Sequence, residues 1–267
     1  MRLRDGWKAA LTLVSMTTPS DSRRVAVVTG ASAGIGEATA RTLAAQGFHV
    51  ICVARREGPI TALAAEIDGT AIVADVTDAT AVAAMAGRLD RVDVLVNNAG
   101  GARGLESVAD ADVEHWRWMW EANVLGTLHV TRALLPKLID SGDGLIITVT
   151  SIAAVETYDN GAGYTTAKHA QGVLHRTLRS ELLGKPVRLT EVAPGMVKTD
   201  FSLRRFDGDS ERAEKVYQGV TPLVAEDIAD VIGFVASRPS HVDLDLIVVR
   251  PRDQVSGAIG SRFNRTS

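Results

Sequence analysis

The chain has 267 residues, 46% of them hydrophobic and 23% charged, which suits a globular protein with one sizeable core. Its formal net charge is -3, acids and bases are spread along its whole length, and it holds neither a basic block nor an apolar run of about 18 residues. Nucleic-acid binding and membrane spanning are therefore not expected.

The chain opens on MRLRDGWKAALTLVSM, basic residues and then a short apolar run, loosely like a secretory signal. Asp5 and Trp7 interrupt its approach and no small-x-small cleavage site follows, so residues 1–22 are expected to be a loosely attached leader, with Met16 as an alternative initiator. Residues 23–267 are expected to form a single domain. From residue 24 near-continuous apolar runs alternate with longer Ala-rich segments of helical period. The runs are RVAVVTG, HVICVAR, AIVADV, VDVLVNNAG, GLIITVTS, VRLTEVAPG and LDLIVV, and helices are predicted over 35–46, 58–67, 78–88, 112–140, 162–183 and 225–237. Runs apolar on both faces, alternating with helices, predict an α/β fold: a doubly wound parallel sheet of Rossmann type, about seven strands, with helices on both faces. Cys52, the single cysteine, sits inside the second run. A buried strand thiol in a reducing cytoplasm is the reading it supports, and with no histidine pair at a ligand spacing, no metal is expected.

A sheet of this kind binds ligands beyond the carboxyl ends of its strands. Those ends carry Thr29-Gly30, Ala54-Arg55-Arg56, Asp75-Val76, Asn97-Asn98-Ala99-Gly100, Thr150-Ser151 and Ala193-Pro194-Gly195. TGASAGIG, residues 29–36, joins the first strand to the first helix, with Gly30, Gly34 and Gly36 spaced G-x-x-x-G-x-G and Ser32 and Ile35 between them. Such a turn lets a pyrophosphate approach the backbone and the free N–H groups of a helix N-terminus, so a dinucleotide is expected there. About 20 residues further on, where an acid would bind the ribose 2′-hydroxyl of NAD, the chain has Arg55 and Arg56. Two guanidiniums suit a 2′-phosphate, which favours NADP over NAD.

GYTTAKHA, residues 163–170, places Tyr164 one helical turn before Lys168, on the same face. Taken alone, the pair is either an activated tyrosine or two unrelated residues on a wet helix.

Together TGASAGIG, NNAG at 97–100, Asn123, Ser151, Tyr164-x-x-x-Lys168 and Pro194-Gly195 resemble the short-chain dehydrogenase/reductase family in order and spacing, from about residue 24 to about 254; Ser151 lies thirteen residues before Tyr164, as is typical there. The chain lacks the glycine-rich segment that closes most members. RRFDGDSERAEKVYQG (204–219) and RPSHVDLDLIVVRPRDQ (238–254) look instead like the serine/3-hydroxy acid dehydrogenase subgroup. The resemblance implies an NADP-dependent oxidoreductase acting on small 3-hydroxy acids. It implies Tyr164 as acid/base, Ser151 holding the reacting oxygen, and Lys168 lowering the phenol's pKa while anchoring the nicotinamide ribose. Asn123 would position a water that passes protons from Lys168. Asp75, Val76, Asn98, Ala99, Gly100, Pro194, Gly195, Val197 and Thr199 would contact the cofactor, with Thr199 at the carboxamide. It further implies a homotetramer joined through the 112–140 and 162–183 helices.

The chain departs from the pattern at Ala33, where NADP-preferring relatives often carry a basic residue, so the 2′-phosphate would rest mainly on Arg55 and Arg56. Residues from about 196 to 218 read as a polar substrate lid in which Arg204 and Arg205 are either partners for a carboxylate or solvated loop residues. Two other readings stay open: a general carbonyl or 3-oxoacyl reductase, and a noncatalytic NADP-sensing protein.

Overall fold

Each apolar run becomes a strand, and all pair in parallel. A computed structural model describes residues 23–257; the expected leader and Met16 lie outside the described residues. The strands are β1 (Val25–Thr29), β2 (His49–Ala54), β3 (Thr70–Val73), β4 (Val94–Asn97), β5 (Gly144–Val149), β6 (Val187–Pro194) and β7 (Leu246–Val249). They form one sheet in the order β3-β2-β1-β4-β5-β6-β7. The registers of the central pairs set Val28 beside Val96 and Thr29 beside Val53. The order reverses between β1 and β4, so the crevice beyond their carboxyl ends is where a ligand fits.

Alternate residues of one strand serve different cores. Ala26, Val28, Val50, Cys52, Val94, Val96, Leu145 and Ile147 face α1 (Gly34–Ala45), α2 (Glu57–Glu66) and α9 (Ala225–Ala236). Val27, Ile51, Val53, Leu95 and Ile146 face α3 (Ala79–Gly87) and α5 (Gly126–Asp140). With helices on both sides the positions of the central strands are covered, which is why their runs are apolar throughout rather than alternating, while the edge strands β3 and β7 keep exposed positions at Val73, Leu246 and Val248. Leu43, Ile60, Leu134 and Leu145 are fully buried, each contributing about 1.5–3 kcal/mol. Cys52 is buried in this core, and burial pushes its thiol up to about 12.

The structure departs from the predicted elements in three places that matter for function. The third run leaves the sheet after Val73, because Thr77 donates its backbone N–H and its hydroxyl to Asp75 Oδ1 at 3.0 and 2.9 Å and closes a local turn. The expected helix over 112–140 is α4 (Val113–Trp120) and α5 joined by a π-helical turn over Glu121–Leu125. Asn123 explains the wider turn: its amide donates to Met119 O at 2.7 Å and to Gly101 O at 2.9 Å, so the helix opens to engage a loop. The expected polar stretch after β6 contains two short helices, α7 (Phe201–Arg205) and α8 (Ser210–Lys215). The remaining helix is α6 (Ala162–Glu181).

Candidate active site

At the end of β1 the backbone itself forms the site. Gly30 and Gly34 have φ of +69° and +57°, the left-handed region that favours glycine. The N-cap of α1 is Ala33, with no side-chain cap, so the first-turn N–H groups are left for an incoming anion. Ser32, Ala33, Gly34 and Ile35 line one end of a cavity of about 800 Å³. Gly36 stands behind them, where a Cβ would lie 2.4 Å from the Gly30 carbonyl oxygen. Asn98 borders the same cavity, but its amide is spent on Thr29 O at 2.9 Å, tying the β4 loop to the glycine turn. Arg56 donates to the Ser32 carbonyl and hydroxyl at 3.0 and 3.1 Å, and Arg55 lies 3.6 Å from Asp75. Uncapped N–H groups, a turn free of side chains and two guanidiniums at its rim fit a dinucleotide carrying an extra phosphate. Val76, Ala99, Gly100, Pro194, Gly195, Val197 and Thr199 line the cavity further along.

The other end is built on α6 and the loop after β5. Tyr164 and Lys168 are both buried, with Lys168 Nζ 5.8 Å from the centre of the tyrosine ring. Ser151 lies two residues beyond β5, takes a hydrogen bond from Ala153 N at 3.1 Å and stands close enough to the Tyr164 hydroxyl to pull its pKa down. Burial outweighs the expected lowering of the phenol's pKa. Burial pushes Tyr164 up; the neighbouring Tyr158 adds to this, while the Ser151 hydrogen bond and the Arg205 charge pull the other way. Burial also brings Lys168 down to about 7, with Glu191 opposing. Both groups leave water, and desolvation disfavours the charged form of each.

Asn123 is fully buried and off the cavity wall. Its Oδ1 accepts Gly101 N at 3.1 Å and its carbonyl accepts the Thr127 hydroxyl at 2.8 Å. Ser151, Tyr164 and Lys168 thus meet at the cavity, with Asn123 one layer behind.

Arg204 and Arg205 both border the cavity but hold different partners. Arg204 is exposed and pairs with Asp200 at 3.4 Å. Arg205 turns into the cavity, donating to Gly104 O at 2.7 Å and to the Tyr158 hydroxyl at 3.3 Å, and among the described residues it has no acidic partner. Phe201 meets Tyr164 edge-on, with ring centres 5.7 Å apart, and Arg103 stacks on Trp118 at 4.6 Å. Tyr158, Trp118 and Gln254 carry no motif and escape sequence reasoning. Gln254 Oε1 accepts Met196 N at 2.8 Å and so fixes the segment after β6; the two residues lie 58 positions apart, and only the tail RPRDQ hinted at it.

Residues 24–209 match the family described as short chain dehydrogenase. This chain belongs to that family. The short-chain dehydrogenase is 77% identical over 243 residues to an uncharacterized oxidoreductase of Mycobacterium tuberculosis, covering 91% of this chain and 97% of that protein. It is 38% identical over 234 residues to a serine 3-dehydrogenase of Agrobacterium fabrum, covering 85% and 94%. Among solved structures it resembles the closed form of a serine dehydrogenase complexed with NADP+, with a TM-score of 0.82 and 35% identity, over 84% of this chain and 94% of that one. The chain is an oxidoreductase of the kind whose relatives act on CH–OH groups.

Proposed function

We propose that this short-chain dehydrogenase is NADP-dependent and acts at the 3-hydroxyl carbon of a small hydroxy acid of the serine, allo-threonine or 3-hydroxyisobutyrate type. The observation that carries the proposal is the meeting of Ser151, Tyr164 and Arg205 at one end of a cavity whose other end is the glycine turn with Arg55 and Arg56. When bound, the cofactor supplies or accepts the hydride.

The chain's own residues bind, orient and move the proton. The turn from Gly30 to Ile35 offers its N–H groups to the pyrophosphate. Arg56, set in place by Ser32, and Arg55, set by Asp75, take the 2′-phosphate, at the end of β2 where an acid would instead favour NAD. In reduction Tyr164 donates its hydroxyl proton to the substrate oxygen, and in oxidation it takes that proton back, while Ser151 holds the same oxygen by a hydrogen bond. Burial keeps the phenol protonated, the form needed for reduction. Bringing a phenol of ordinary pKa about 10 to neutrality takes roughly 4 kcal/mol, and burial of Tyr164 adds to that demand. An ammonium at about 6 Å contributes about 3 kcal/mol at an effective dielectric near 20. Lys168 therefore leaves a remainder, to which the Arg205 charge contributes in the same direction. Asn123 is proposed to hold, on the second lone pair of its carbonyl, the water that passes protons between Lys168 and solvent.

Arg205 supports an anionic substrate: a buried-side guanidinium without an acid is a partner for a carboxylate. A homotetramer joined through α4, α5 and α6 is part of the same reading, supported by exposed Trp120, Leu128 and Val173 on those helices, and sedimentation would test it. A cytoplasmic location suits the free, buried Cys52 thiol. The aromatic wall of Trp118, Phe201 and Tyr217 favours, as a second reading, a general carbonyl reductase. The deciding experiment follows nicotinamide absorbance with NADP+ and serine, allo-threonine or 3-hydroxyisobutyrate, and with NADPH and simple ketones. The proposal expects turnover of the hydroxy acids. Turnover of ketones alone would overturn the substrate class, and NADPH binding without any turnover would point to the sensing role.

A further inference from the structure

Lys168 is held by a residue of its own helix that none of the family motifs includes. Gln171, three positions later and fully buried, accepts Lys168 Nζ on Oε1 at 2.8 Å. Its Nε2 donates to Thr127 Oγ1 on α5 at 2.8 Å, and the Thr127 hydroxyl donates to the Asn123 carbonyl at 2.8 Å. An ammonium only donates, so it must face the amide oxygen, and every hydrogen in the chain then points from α6 toward the π-helical turn. Lys168 Nζ also donates to Val149 O at 3.2 Å. These two bonds engage two of the ammonium's three N–H groups inside the protein.

A glutamine with no exposure is costly unless its amide is satisfied at both ends, as it is here; an apolar residue would fill the same space without that demand. The other charged or titratable groups facing this pair are engaged elsewhere. Glu191 on β6 is paired with Arg176 at 3.0 Å and accepts the Thr150 hydroxyl at 2.9 Å. Arg205 on α7 and Tyr158 ahead of α6 lie on the Tyr164 side. Tyr164 itself faces Ser151.

We infer that Gln171 is a positioning residue for Lys168: its amide oxygen keeps the ammonium aimed and charged beside Tyr164, and Thr127 keeps that amide from turning. The burial that lowers Lys168 to about 7 is what makes such a carbonyl matter near neutral pH. The consequence for turnover rests on the acid/base reading of Tyr164, whereas the hold on Lys168 does not.

The test reads Lys168 directly. In the full-length protein with isotope-labelled lysine, its Cε resonance is followed against pH and assigned with Lys168→Arg. In Gln171→Leu the protonation midpoint falls by about one pH unit, a roughly tenfold loss in proton affinity, as for one hydrogen bond to a charged group. Thr127→Val moves it by less in the same direction, and Thr127→Ser restores it. With intact acid/base chemistry, the pH at which turnover changes moves as well. A midpoint unchanged in folded Gln171→Leu overturns the inference, and if that variant does not fold, an unchanged midpoint in folded Thr127→Val does so. A midpoint that falls while the turnover profile stays still upholds the hold on Lys168 and refutes the acid/base reading of Tyr164.

Discussion

The two ends of the cavity are made of different material. Where it would meet the pyrophosphate, the nucleotide end is backbone: two glycines with positive φ, an uncapped helix start and a third glycine packed against a carbonyl, all within residues 30–36. The other end, proposed for the hydroxy acid, is side chain, with Trp118 from α4, Ser151 from the loop after β5, Tyr158 and Tyr164 around the start of α6, and Arg205 from α7. A backbone site binds what any relative binds, because it depends on a turn and on free N–H groups. A side-chain site is set by whichever residues the loops deliver, and that is where members of one fold diverge.

Substitutions at each end sharpen the contrast. The largest effect is expected where guanidiniums meet the 2′-phosphate: Arg55→Ala with Arg56→Ala should weaken NADPH by about 100-fold while barely changing NADH, since each charge-assisted hydrogen bond is worth about 1.5–3 kcal/mol. Equal losses for both nucleotides, read by fluorescence titration, would contradict a phosphate role. At the hydroxy-acid end, Arg205→Ala should raise KM for a hydroxy acid by roughly 10- to 100-fold and leave NADPH affinity near its original value; steady-state kinetics that show the nucleotide affected instead would place Arg205 at the wrong end. Gly36→Ala should cost about 1–3 kcal/mol of stability in a melting experiment, because the added Cβ meets the Gly30 carbonyl oxygen at 2.4 Å. Arg204→Ala is the smallest, within about 0.5 kcal/mol of stability in a melting experiment, because its pair with Asp200 is exposed to solvent.

The same contrast explains what the sequence could disclose. Gly30, Gly34 and Gly36 announce the nucleotide end because a turn leaves a local signature, and the strands announce the sheet because burial on both faces writes continuous apolar runs. Tyr164 and Lys168 are legible as neighbours through helical spacing. Their electrostatics are not, since the burial that raises the phenol and lowers the ammonium comes from the packing of separate elements. The π-helical turn at Asn123 is invisible for a related reason: it depends on Gly101, 22 positions away. Arg204 and Arg205 look alike in sequence and both border the cavity, and only their placement on a five-residue helix gives one an acid and the other a carbonyl and a phenol as partners.

The central claim is that Tyr164 moves the proton at a cavity that binds NADP independently of it. The most direct measurement compares Tyr164→Phe with the unaltered protein for NADPH affinity and for nicotinamide-linked turnover of a hydroxy acid. Turnover should fall by about 10²–10⁴-fold while NADPH affinity holds. A Tyr164→Phe protein that keeps most of its turnover would contradict the account.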